Sequence, residues 1–136
     1  MRLWTPFFLA LAIAVSCGVE PRRTAAAAEP NDIGYPSVEA ALQALRQRDD
    51  VIISKQKGWT VVEERAALTI WSFTPADHPA HPAVVKRQVY EENGAARIRM
   101  WAKCGAAKDA CDALLEGFQR LNARMGEAIK REKTGK

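Results

Sequence analysis

Three groups of residues in this chain have types and spacings suited to chemistry. The first is Asp77, His78 and His81 in the run TPADHPAHP. Imidazole with a carboxylate is a ligand set for zinc, copper or nickel, and would define a metal-binding protein or a metal-dependent hydrolase. Pro79 and Pro82 oppose that reading, because each holds the preceding residue in extended backbone. Residues three apart then stand about 9 Å apart, from a rise of ~3.1 Å per residue. One ion cannot bridge that distance unless the loop folds back. The simpler reading is an exposed loop whose Asp and His side chains cap nearby amides.

The second group is Cys104 and Cys111. In an exported chain an even pair reads as a disulfide. Six intervening residues do not match the C-x-x-C of redox centres, and nothing close in sequence lowers a thiol pKa. On one helix the two would lie about 10.5 Å apart along the axis, whereas a disulfide needs Cα atoms within about 7 Å. Cys104 must therefore precede the final helix, with Gly105 helping the chain turn and Asp109 in the first helical turn or at its cap.

The third group is carried by a hairpin. Two strand-like runs between Val84 and Lys103 flank Asn93-Gly94, a dipeptide that tolerates the positive φ of tight turns. A two-residue turn pairs Glu92 with Ala95, Tyr90 with Arg97, Gln88 with Arg99 and Lys86 with Trp101. Tyr90, Arg97, Arg99, Trp101, Lys86 and Lys103 then share one face, with Val89 meeting Ile98 and Val85 meeting Ala102 on the other. Trp71 and Phe73 of an earlier strand are placed to join the first face. Aromatics interleaved with cations suit an anionic or sugar-bearing ligand. The competing readings are a solvated face on which long cationic stems cover the rings, or tryptophans turned toward the helices.

Patterns of established catalysis are missing: there is no G-x-S-x-G, no H-E-x-x-H, no phosphate-binding glycine loop and no C-x-x-C-H. Glu63-Glu64 and Glu91-Glu92 are adjacent pairs whose side chains diverge in a strand, so neither forms a carboxylate dyad. No cofactor is implied.

The elements that must position these groups follow from periodicity. Ser37 caps a helix in which Val38, Ala41, Leu42 and Leu45 share a face, and Asp49-Asp50 stops it. Residues 51–64 form a hairpin about Lys57-Gly58. Residues 67–73 form a strand with Leu68, Ile70 and Ser72 on one side and Thr69, Trp71 and Phe73 on the other. After the second hairpin, Leu114, Phe118, Leu121, Met125 and Ile129 form the stripe of a helix whose end, 131–136, is expected to fray. The order helix, about five strands, helix predicts an α+β domain: an antiparallel sheet with the N-terminal and C-terminal helices packed on one face.

Residues 1–28 place the chain in a cell. Arg2 precedes an apolar run from Leu3 to Val15, the layout of a bacterial export signal and too short for the ~20 residues of a membrane span. Ala26-Ala27-Ala28 offers a cleavage site before Glu29. Competing with it, Ala14-Val15-Ser16-Cys17 resembles a lipobox with Cys17 as the acylated residue, departing at Ala14, where Leu is usual. Either way the destination is the periplasm or the outer membrane, and membrane contact would be through the lipid anchor alone. Residues 29–34 read as linker and 35–136 as a single domain. Over residues 29–136 there are 17 basic and 15 acidic residues, too even a balance to suggest a nucleic-acid partner.

The stretches GYPSVEAALQAL and WSFTPADHPAHPAVVKR, with the final C-x6-C, resemble a group of small exported proteobacterial proteins. The resemblance implies a secretion signal and a compact domain, and it carries no catalytic residues. The reading that follows is a non-enzymatic, envelope-associated binding or accessory domain. It would use Tyr90, Arg97, Arg99 and Trp101, with an envelope protein or an anionic, sugar-bearing envelope component as partner. The alternatives are the metal protein above and a purely structural lipoprotein.

Overall fold

A computed structural model describes residues 32–135. The expected export signal, the lipidation at Cys17 and the start of the linker lie outside the described residues. The chain runs α1 (Val38–Arg46), β1 (Ile52–Gln56), β2 (Trp59–Glu64), a 3₁₀ turn (Arg65–Ala67), β3 (Thr69–Phe73), β4 (Ala83–Glu92), β5 (Ala95–Cys104) and α2 (Lys108–Thr134). The five strands form one sheet in sequence order, and each neighbouring pair is antiparallel. This is the expected α+β arrangement.

The local chemistry accounts for the elements. Ser37 caps α1, its Oγ accepting from the Ala40 amide at 3.0 Å, and Glu39 lies in the first turn, where a negative charge suits the helix dipole. Both hairpins close with two residues at positive φ: Lys57 (50°) and Gly58 (87°), then Asn93 (52°) and Gly94 (76°). That conformation matches the twist of the flanking strands, and it brings Gln56 opposite Trp59 and Glu92 opposite Ala95. The β4–β5 register is the one the Asn-Gly turn dictates.

The helices do not share a face, as the sequence reading expected; they lie on opposite sides of the sheet. Ala41 and Leu45 of α1 cluster with Val62, Trp71, Phe73 and Val84. Leu114 and Phe118 of α2 cluster with Val85, Met100 and Ala102. Val84 and Val85 are adjacent in one strand, so their side chains point to opposite faces, and both are 0% exposed. A strand buried on both sides loses the apolar–polar alternation that would reveal a single covered face.

Two further local differences emerge. Leu68 is not part of the strand expected over 67–73, which begins at Thr69: it takes φ 49° at the end of the 3₁₀ turn and is 60% exposed. The C-terminal segment is helical through Thr134 rather than frayed from residue 131.

Cys104 and Cys111 are disulfide-bonded, with Cα atoms 5.9 Å apart. Cys104 ends β5 and Cys111 sits in the first turn of α2. The Gly105 amide donates to the Pro82 carbonyl at 2.8 Å, turning the chain between them. The bond therefore ties α2 to the strand that carries Arg97, Arg99 and Trp101.

Candidate ligand-binding face

The sheet face beneath α1 carries every member of the aromatic–cationic group. Cross-strand partners run from Val62 to Trp71, from Trp71 to Lys86 and from Lys86 to Trp101, with Gln88 opposite Arg99 and Tyr90 opposite Arg97. Because residues paired across strands share a face, Trp71, Lys86, Tyr90, Arg97, Arg99 and Trp101 all lie on it.

α1 covers only part of this surface. Tyr35 packs edge-on to Trp71 with ring centroids 5.7 Å apart, and Trp101 borders the α1 core. Toward the second hairpin exposure rises, from buried Val84 to exposed Glu92. There Lys86, Tyr90 and Trp101 are half-buried, and Arg97 and Arg99 are exposed.

The cations are stacked rather than free. Lys86 Nζ sits 4.8 Å from the Trp71 ring centroid and 5.1 Å from that of Trp101. The Arg99 guanidinium lies 4.5 Å from Tyr90 and 5.8 Å from Trp101. Ring faces carry negative potential, so these contacts hold the charges in place without neutralising them. Arg97 makes one long ion pair with Glu92, at 3.6 Å. Among the described residues, Lys86, Arg99 and Lys103 have no carboxylate within ion-pair distance.

The inner border of the face is fixed by Glu64, whose role the sequence did not show. Glu63 and Glu64 do diverge. Glu63 faces α2 and pairs with Arg65 at 3.7 Å. Glu64 faces α1, is 9% exposed, and accepts from the Trp71 indole Nε1 at 2.5 Å and from Arg48. Arg48 also binds Asp50 at 2.6 Å. Its hydrogen bonds to Asp50 and then to Glu64 raise its pKa, and the same bond lowers that of Asp50. This network anchors Trp71, and through Lys86 the rest of the row. The signal for it was a single one: an acid with the face parity of Thr60 and Val62, in a strand whose other residues, Glu63 apart, are apolar or β-branched.

The loop that carries Asp77, His78 and His81 does fold back, in two successive turns: His78 N donates to the Pro75 carbonyl at 3.1 Å and His81 N to the His78 carbonyl at 2.9 Å. The side chains nevertheless diverge. His78 Nδ1 accepts from the Ala80 amide at 3.0 Å, and its ring packs edge-on to Trp59. His81 Nδ1 lies 3.2 Å from both Thr74 Oγ1 and the Thr74 carbonyl. Asp77 is exposed. Among the described residues no group of three or more His, Cys, Asp or Glu side chains is placed to hold a metal ion. Likewise, none of the described helices is long and apolar enough to cross a membrane.

Comparison with protein-family models, curated proteins and solved structures gave no match to this chain. The site's own chemistry must carry the functional reading.

Proposed function

We propose that this protein is a non-enzymatic, extracytoplasmic binding domain whose open β4–β5 face takes an anionic, sugar-bearing component of the cell envelope. The observation that carries the reading is the row Lys86, Arg99 and Lys103, cations without acidic partners among the described residues, two of them held on aromatic rings. Cations held in register on a sheet recognise a ligand with repeated negative groups, since neighbouring side chains on one strand repeat at about 7 Å. Guanidinium forks favour phosphate and carboxylate, and the flanking Tyr90 and Trp101 rings offer surface for the apolar faces of sugars. An open face suits part of a large ligand rather than an enclosed small molecule. Export, read from residues 1–28, puts such ligands within reach.

Co-sedimentation with lipopolysaccharide tests the proposal. The wild-type chain is expected to sediment at low salt and to be released as salt rises, because the contacts are charged and exposed. Arg97→Ala with Arg99→Ala should abolish sedimentation while leaving the far-UV spectrum unchanged. Trp101→Ala is the poorer test, since that ring also borders the α1 core. Undiminished binding by the double arginine variant would overturn the reading.

A further inference from the structure

On the opposite face, under α2, Arg87 occupies a row whose other inward members on β4 are apolar: Ala83, Val85 and Val89. Its guanidinium lies 5.1 Å from the Phe118 ring centroid, and Nη1 reaches the Met125 sulfur at 3.6 Å. Nε is buried with no hydrogen-bond partner. No described carboxylate pairs with it. Glu63 lies two strands away in the same cross-strand row, with Ile70 between them, and its carboxylate is turned to Arg65.

Arg87 lines a cavity of about 530 Å³ between β1–β4 and α2. Trp59, Val61, Ile70, Phe118 and Leu121 supply its apolar walls, and Gln56, Lys57, Glu63 and Ser72 its other polar lining. A half-buried guanidinium without a counter-charge is an expensive arrangement, and burial lowers the Arg87 pKa from its ordinary value. An open groove with an apolar floor, a half-buried cation without a counter-charge and a polar rim at Gln56 and Lys57 is complementary to a molecule with an apolar body and one anionic end.

We propose that this cavity is a binding site for an amphipathic organic monoanion, a medium-chain or aryl carboxylate, whose carboxylate pairs with Arg87 and whose apolar part lies along Val61, Ile70 and Leu121, beside Trp59 and Phe118, whose rings pack edge-on with centroids 5.9 Å apart. The site is separate from the β4–β5 face, on the other side of the sheet, and does not depend on the function proposed for that face.

The test is calorimetric titration of the full chain with octanoate, with octanol as the uncharged control. Octanoate is expected to bind saturably in the millimolar range or tighter, and octanol about tenfold more weakly or worse, the loss of one charge-assisted contact. Arg87→Met should weaken octanoate by about tenfold or more, to the level of octanol, while retaining the wild-type far-UV spectrum. Glu63→Gln, which removes the one acid lining the cavity, should leave octanoate affinity equal or raised. Absence of saturable binding to the wild-type chain overturns the proposal. So does equal affinity for octanol and octanoate, a comparison that holds even if Arg87→Met fails to fold.

Discussion

Glu64 offers the sharpest energetic test of the fold that presents the β4–β5 face. It is a buried carboxylate with two donors, the Trp71 indole at 2.5 Å and Arg48. Trp71 is 2% exposed, so Glu64→Ala leaves its N–H with neither protein nor bulk water as acceptor. An orphaned buried donor costs about 1–3 kcal/mol, and a lost hydrogen bond to a charged group about 1.5–3 kcal/mol. The two overlap, so a total of about 2–4 kcal/mol is expected. At roughly 4–8 °C per kcal/mol for a domain of this size, the melting temperature should fall by about 10 °C or more. Trp71→Phe removes the donor itself. In that background Glu64→Ala should cost about 1–2 kcal/mol less, and that coupling is the signature of a direct bond. Urea unfolding followed by far-UV circular dichroism measures all four corners of the cycle. If Glu64→Ala costs less than about 0.5 kcal/mol, or its effect simply adds to that of Trp71→Phe, Glu64 does not anchor the row and the reasoning fails.

Other outcomes follow from single features. Ser37→Ala should cost about 1 kcal/mol by removing the α1 cap, measured by thermal melting. Replacing both Cys104 and Cys111 by serine opens an eight-residue ring and should cost roughly 2.5 kcal/mol on a loop-entropy model. Hydrogen exchange should then accelerate first at the start of α2. The Asp50 carboxyl, held low by its hydrogen bond from Arg48, should titrate below the ordinary aspartate range by NMR, and Arg48→Ala should return it there. Because the folded-state value is depressed, its stabilisation is present above the unfolded aspartate pKa and is lost as pH falls through the folded one.

How much of this was legible in the sequence varies with how local the signal is. Asn93-Gly94 set the second hairpin's turn and hence which residues face together, so Tyr90, Arg97, Arg99 and Trp101 could be placed on one face by counting. Spacing, once the pair was read as a disulfide, put Cys104 before α2. The sides taken by the helices were not legible, because Ala83, Val84 and Val85 are buried in succession, and a strand covered on both faces shows no alternation. That continuous run was itself a sign of helices on both sides. Arg87 was passed over for a related reason. Its parity places it with Val85, Val89 and Ile98, and a cation in an apolar row marks a buried charge only when that row is known to be covered. The bonds of Glu64 depend on contacts between separate elements that no local pattern encodes.

The measurement that bears most directly on the functional reading is an NMR titration of the full chain with deacylated, phosphorylated lipopolysaccharide oligosaccharide, using the dephosphorylated form as control. Saturable amide shifts are predicted at Tyr90, Arg97 and Arg99, together with the Trp101 indole N–H, weak with the control and absent in the Arg97→Ala, Arg99→Ala variant. Shifts confined to α2, shifts of equal size with the dephosphorylated form, or none at all would contradict the assignment of this face as the binding surface.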